Sequence, residues 1–367
     1  MHTASPTIEG ILHIADERQD GRLRDPAHPL RPLRHGIVPR RMIRDMRLRP
    51  GLLLCGRAKG DFLSEVQSIE GRTPSEYTDK VTLYESTALD PEPMLRLEHN
   101  PTEYATRIID ILAPVGFGQR GLIVAPPRSG KTILLQNIAR GVHHNYPDVK
   151  LVLLLVDERP EEVTDMKRNV PGVVYASSND NTVEKHLDLA QLVIERCKRQ
   201  VEFGANIVVL LDSLTRLGRA FNTGGPSGGR TMSGGLDNRA LEIPKRLFGA
   251  ARKIENGGSL TIMATCLIDT GSRMDQVIFE EFKGTGNMEL VLDRNLANQR
   301  IWPALDICAS GTRKEEKLLS EKELTAARHI RRLLSSMAPA QALKTLLDVM
   351  AKQKTNADLL AAAGAKA

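Results

Sequence analysis

The chain predicts an α/β fold with a mainly parallel sheet, preceded by a small β domain and followed by C-terminal helices. Two observations carry this. From residue 121 the apolar runs "GLIVA", "LVLLLVDE", "GVVYAS", "NIVVLLDS" and "SLTIMATCL" alternate with helical stretches such as 130–141 and 182–203. Before that, residues 8–70 hold only short apolar runs broken by Gly, Pro and charge: "GILHIA", "HGIVP", "GLLLCGRA" and "DFLSEVQSI". Long apolar strands interleaved with helices are the pattern of a parallel sheet covered on both faces. Short, evenly spaced strands with turn residues between them read as a small β unit.

Taken in order, residues 1–7 read as a disordered start and 8–70 as the β domain. Residues 71–105, with Pro74, Pro91, Pro93 and Pro101, read as a linker with extended pieces. Residues 106–367 read as the α/β domain, ending in Leu/Ala/Lys-rich helices such as "SEKELTAARHIRRLLSSM". The 367 residues suffice for two or three domains and a sizeable core. No run of 18 apolar residues suggests a membrane span, and the start "MHTASPTIEG" lacks the features of a signal peptide. Four scattered cysteines without CxxC pairing argue against a zinc site or a disulfide framework, so a reduced, cytoplasmic chain is expected.

Charge is unevenly placed. Residues 1–60 hold 12 Lys and Arg against 6 Asp and Glu, an excess equal to the whole chain's +6. A basic segment on a neutral body suggests a polyanionic partner, nucleic acid first.

The stretch "GLIVAPPRSGKT" sets a strand before a loop and an amphipathic helix after it, the context a P-loop requires. Its usual opening glycine is Ala125, followed by Pro126 and Pro127. The chemistry survives that change. Backbone N–H groups at a helix start face phosphate, Gly130 permits close approach, Lys131 reaches the β- and γ-phosphates, and Thr132 ligates Mg²⁺. Pro127, Arg128 and Ser129 complete the loop against ATP. A Mg²⁺ site also needs an acidic strand end, and two are available: Asp212, and the pair Asp157 and Glu158. The residues alone do not rank them. One division of labour has Asp212 hold Mg²⁺ through water while Glu158 orients or deprotonates the attacking water. Charge on the departing phosphate calls for an arginine, with Arg300 and Arg313 as candidates.

Six strings together resemble the Rho transcription-termination family: "GQRGLIVAPPRSGKT", "DERPEEVTDM", "LLDSLTRLGRAFN", "PKRLFGAARKIENGGSLTIMATCLIDTGSRMD", "EEFKGTGNMEL" and "SGTRKEE". The resemblance implies a RecA-like P-loop ATPase core after an OB-like, cold-shock type domain. It also implies a ring hexamer that translocates 5′-to-3′ on nascent RNA and acts on transcribing RNA polymerase. By the same resemblance Glu158 is the catalytic glutamate and Asp212 the Walker B aspartate. Arg313 becomes the arginine finger supplied across the subunit interface, Arg300 a second arginine near the phosphates, and Trp302 the aromatic against adenine. Two glycine-rich loops, 222–235 with Arg230 and Thr231, and 280–289 with Lys283 and Gly284, would grip RNA in the central channel.

The N-terminal part departs from that family. Residues 1–60 contain no Phe, Tyr or Trp, and "DGRLRDPAHP" stands where an aromatic-rich turn is expected. Aromatic stacking supplies about 1–3 kcal/mol per base in single-strand binding. Its loss predicts electrostatic, salt-sensitive RNA loading through Arg22, Arg24, Arg31, Arg34, Arg40, Arg41 and Arg44. An alternative is a Rho-like or RecA-like ring with weakened RNA loading that acts through a protein partner.

Overall fold

Strands that are apolar on both faces need cover on both faces, and here they receive it. The computed structural model describes residues 6–77, 81–224, 233–237 and 239–364. Strands β1 (Thr7–His13), β2 (Gly21–Arg24), β3 (Pro32–Val38), β4 (Leu53–Lys59) and β5 (Phe62–Ile69) close into a barrel of order β1-β2-β3-β5-β4. Its interior is aliphatic, with Leu12, Leu23, Leu54 and Ile69 fully buried.

The second sheet has nine strands. They are β6 (Ala88–Leu89), β7 (Arg120–Ala125), β8 (Lys150–Glu158), β9 (Val173–Ser178), β10 (Asn206–Asp212), β11 (Arg252–Ile254), β12 (Ser259–Leu267), β13 (Met288–Leu292) and β14 (Leu305–Thr312). The main path runs β14-β13-β7-β12-β10-β8-β9, parallel throughout except for the antiparallel β13–β14 pair. Alternating side chains serve opposite layers. Ile123, Leu153, Leu155 and Leu210 join one core with the helices Tyr104–Leu112 and Lys131–Asn145. Leu122, Leu154, Val156 and Leu211 join the other with the helices Val183–Glu202 and Leu214–Gly224.

Parts of residues 71–105 are integral to this core. Ala88–Leu89 pairs with β11, and Leu83, Leu95 and Leu97 are fully buried. The loop expected at 280–289 is shorter than its sequence suggested. A helix runs Arg273–Lys283 and β13 starts at Met288, so only 284–287 lie between elements. The glycines at 284 and 286 marked a turn, and the amphipathic helix before it extends up to that turn.

The barrel is clasped to the core by the far end of the helix Val183–Glu202. Arg49 Nη1 and Nη2 donate to the two carboxylate oxygens of Glu202 at 3.0 and 2.7 Å, and Arg196 donates to Glu70 at 2.5 Å. Gly51, at φ +87°, lies so close that a Cβ there would sit 2.4 Å from the Glu195 backbone. C-terminal helices are tied in by the buried Arg107, which donates to Asn356 Oδ1 at 3.2 Å and to the carbonyls of Pro101 and Met350.

Asp110 gives this core a pH dependence. Its carboxylate accepts from the backbone N–H groups of Leu97 and Glu98 at 2.8–2.9 Å, but burial dominates and pushes its pKa up to about 7. An unfolded Asp titrates near about 3.9. Between those values the folded chain holds the extra proton, so this contribution is full below the unfolded pKa and is lost as pH rises through about 7. Denaturant midpoints of the wild type are expected to fall from pH 5 to pH 8, and Asp110→Asn to flatten that fall. An unchanged slope would count against the assignment.

Candidate nucleotide-binding site

In a parallel sheet, ligands bind outside the carboxyl ends of the strands. β7 ends at Ala125, which is fully buried and paired with Leu267 of β12, so an alanine fits the start of this loop. The positive-φ positions fall later, at Arg128 (φ 63°) and Gly130 (φ 88°). Ser129 Oγ donates to the Pro126 carbonyl at 2.7 Å and ties the turn together. The helix Lys131–Asn145 begins at Gly130 without any side-chain cap. Its first N–H groups are therefore free of a protein side-chain partner at the end where the helix dipole favours an anion.

Lys131 is the centre of the site. Its Nζ donates to Asp212 Oδ1 and Oδ2 at 2.7 and 2.6 Å and to Glu158 Oε2 at 3.4 Å. Burial alone would lower its pKa, but the charges of Asp212 and Glu158 outweigh that and hold it above the ordinary lysine value. The ammonium therefore stays charged across the neutral range. Both acidic strand ends thus meet at one lysine, which joins the two alternatives that the residues alone left unranked.

Two residues without any sequence signal of their own complete the group. Thr265 of β12 donates to Asp212 Oδ1 at 2.7 Å, and Arg216 Nη2 donates to Glu158 Oε1 at 2.9 Å. A threonine in a buried strand reads as core, and an arginine four residues past Asp212 reads as helix surface. Hard oxygen donors, the Thr132 hydroxyl and the Asp212 and Glu158 carboxylates, suit Mg²⁺, which keeps several waters and needs few protein ligands.

Beside the loop lies a cavity of about 500 Å³, walled by Glu103, Tyr104, Ile133, Asn137, Trp302 and Pro303 among others. Trp302 is 45% exposed and leans on Gly130, where a Cβ would come within 2.7 Å of the indole. An aromatic face next to a phosphate-binding turn suits a purine base.

The other expected residues make no side-chain hydrogen bond to this group among the described residues. Arg300 is exposed at φ 59° after the short helix Arg294–Asn298. Arg313 is exposed, and its N–H donates to the Asn287 carbonyl, whose own N–H donates to Arg120 at the start of β7. Five strand steps of about 3.3 Å separate Arg120 from Ala125, so Arg313 is anchored roughly 16 Å from its own phosphate loop. Lys283 ends its helix with its ammonium 5.6 Å from the Phe279 ring, and Gly284 follows. Arg230 and Thr231 fall outside the described residues. On the barrel, Phe62 heads β5 at 46% exposure, an aromatic just past the stretch without any.

Residues 105–312 match the family model of the ATP synthase alpha/beta family, nucleotide-binding domain. A curated relative from Streptomyces coelicolor, transcription termination factor Rho, is 49% identical over 98% of this chain and 86% of its own length. The chain belongs to the Rho family. A second Rho, from Streptomyces lividans, is 55% identical over 83% of this chain. The chain spans 43% of that relative's length and 44% of that of a Micrococcus luteus Rho. Among solved structures, an ATPase from the type III secretion system of pathogenic bacteria superposes with a TM-score of 0.62 at 23% identity. That match covers 78% of this chain and 89% of the other. It shows the shared RecA-like P-loop ATPase fold. No helix among the described residues is long and apolar enough to cross a membrane.

Gly130→Ala tests the loop. The added methyl demands a left-handed alanine, at about 1–2 kcal/mol, and collides with the indole. Affinity for ATP, read by fluorescence of the single tryptophan, is expected to fall about tenfold or more. Unchanged binding would refute the close approach.

Proposed function

We propose that this chain is an RNA-dependent ATPase that assembles as a homohexameric ring, translocates 5′-to-3′ along nascent RNA and terminates transcription in the cytoplasm. The observation that carries this is the Lys131–Asp212–Glu158 group at the carboxyl edge of the sheet, with Arg313 anchored at the other edge. Family membership and the shared ATPase fold support the same reading.

In the reaction, Gly130 and the helix start cradle the phosphates of ATP while Lys131 follows them. Thr132 and Asp212 are the residues that would hold Mg²⁺, which neutralises charge on the β- and γ-phosphates when bound. Glu158, relieved of Lys131, takes the proton of the attacking water or orients it. Arg313 is too far from its own loop to act there, so it serves the site of a neighbouring copy, and Arg300 is a second arginine near the phosphates. Trp302 lies against the adenine. Lys283 and Gly284, with Arg230 and Thr231, line the RNA channel. RNA polymerase is reached through the transcript.

The barrel is proposed as the OB-type site that loads RNA. Its arginines, including Arg22, Arg24 and Arg44, supply the phosphate contacts, and Phe62 supplies a stacking face. Binding of full-length protein to pyrimidine and purine oligomers should weaken steeply with salt, about 0.7 log units per log unit of salt for each phosphate neutralised. Salt-insensitive, cytosine-selective binding would overturn the electrostatic assignment.

Lys131→Ala is expected to abolish RNA-stimulated ATP hydrolysis, and Arg313→Ala to reduce it by about 10³-fold or more. Mixing the two inactive variants should restore part of the activity, because some interfaces then pair an intact Lys131 with an intact Arg313. Failure to complement would place Arg313 outside the neighbour's site.

A further inference from the structure

Glu158 does not sit where strand alternation would put it. β8 pairs with β9 in regular parallel register up to Val156 opposite Ser177, and then Glu158 faces Ser178. Asp157 is the extra residue, at φ +55°. By simple alternation Glu158 would share the face of Leu154 and Val156, which belongs to the layer of the helix Val183–Glu202. Lys131 begins a helix of the opposite layer. The extra residue breaks the alternation at the point where the carboxylate must meet that lysine. β-Bulges beside active sites commonly re-aim a side chain in this way.

Three elements hold the bulge. Arg216 donates through Nη1 to the Asp157 carbonyl and through Nη2 to Glu158 Oε1 at 2.9 Å, so one guanidinium ties the bulge backbone to the carboxylate it aims. The same Nη1 lies 3.9 Å from Asp157 Oδ2. On the other side His186 Nε2 lies 3.9 Å from Asp157 Oδ1, and its Nδ1 is 2.6 Å from the buried Ser177 hydroxyl. The Arg159 N–H donates to Glu158 Oε1 at 3.1 Å and closes the turn.

We propose that Asp157 is a positioning residue for Glu158: its left-handed bulge, held by Arg216 and faced by His186, directs the carboxylate toward Lys131. This rests on the ATPase reading above. The bulge needs a residue that accepts a positive φ, and Asn and Gly do so more readily than Ala. Backbone conformation and carboxylate can therefore be separated.

The experiment compares ATP turnover by wild type, Asp157→Ala, Asp157→Asn and Asp157→Gly in the full-length protein, with ATP binding read by tryptophan fluorescence. Asp157→Ala should lower kcat about tenfold, the factor a left-handed alanine costs, with KM for ATP within about threefold of wild type. Asp157→Asn and Asp157→Gly should keep at least about a third of the wild-type kcat. Equal losses in all three variants, or no loss in Asp157→Ala, would overturn the proposal. Should Asp157→Ala fail to fold, Arg216→Lys gives the second readout, since an ammonium does not reproduce the two-acceptor fork. It should lower kcat with KM nearly unchanged, and wild-type kcat in that variant would overturn the proposal. Wild-type hydrolysis is the control: its absence would overturn the ATPase reading itself, whereas a wild-type enzyme matched by Asp157→Ala removes only this inference.

Discussion

A charged lysine almost enclosed by protein is tolerated only if anions are brought to it, and much of this architecture serves that requirement. The Lys131 side chain is 14% exposed, and the two carboxylates against it are 2% exposed. Burying any one of these charges alone would cost several kcal/mol. Together they compensate, and the parallel sheet is what brings them together. β7, β8 and β10 run in one direction, so the loop after β7 and the acidic ends of the other two share one edge. Under the proposed ATPase reading, such a site would respond to a triphosphate by exchange of partners. Phosphate would compete with the carboxylates for one ammonium, and Glu158 would be set free as the lysine leaves.

That exchange has to happen on a frame that does not yield. The helix Val183–Glu202 supplies much of it, because its 20 residues span about 30 Å. Near its start His186 faces the bulge behind Glu158, and at its end Glu202 is fully buried under Arg49 of the barrel. Leu83 N–H and Arg199 satisfy the same carboxylate, so the barrel is anchored by a saturated charge network as well as by apolar contact. One rigid element therefore touches both the chemistry and the domain that carries the basic segment.

Much of this fold is legible in the amino-acid sequence. The strand runs 121–125, 151–158, 206–213 and 259–267 come within a residue of the observed strands, because a strand buried on both faces leaves an unbroken apolar string. The groups that meet at Lys131 were legible as candidates, because Asp212 and Glu158 end apolar strand runs and Lys131 opens the helix after a phosphate-loop motif. Short strands were not: Gly21–Arg24 has two arginines in four residues, and its place in the barrel comes from neighbours on both sides. Thr265 and Arg216 were invisible for another reason. Each acts through a partner distant in sequence, and a single polar residue has no period to betray it. The bulge at Asp157 was equally hidden, since "VDERP" reads as an ordinary strand end.

The position of Arg313 is where geometry adds most to the motif. In sequence it is one basic residue in "SGTRKEE"; in the fold it hangs from Asn287, against the starting end of β7. Burial, and after it the nearby guanidinium charges of Arg252 and Arg313, lower the pKa of Arg120, so like charges gather at that edge. Concentrating positive charge there is unfavourable for an isolated chain. It becomes favourable when the facing surface carries a polyphosphate, which is what the carboxyl edge of a second copy would present. On the proposed reading, a chain whose phosphate loop and charge-stabilising arginine sit at opposite ends of one strand holds two halves of different sites. Head-to-tail repetition would complete each of them, and heterologous contacts of that kind close into a ring when the rotation permits.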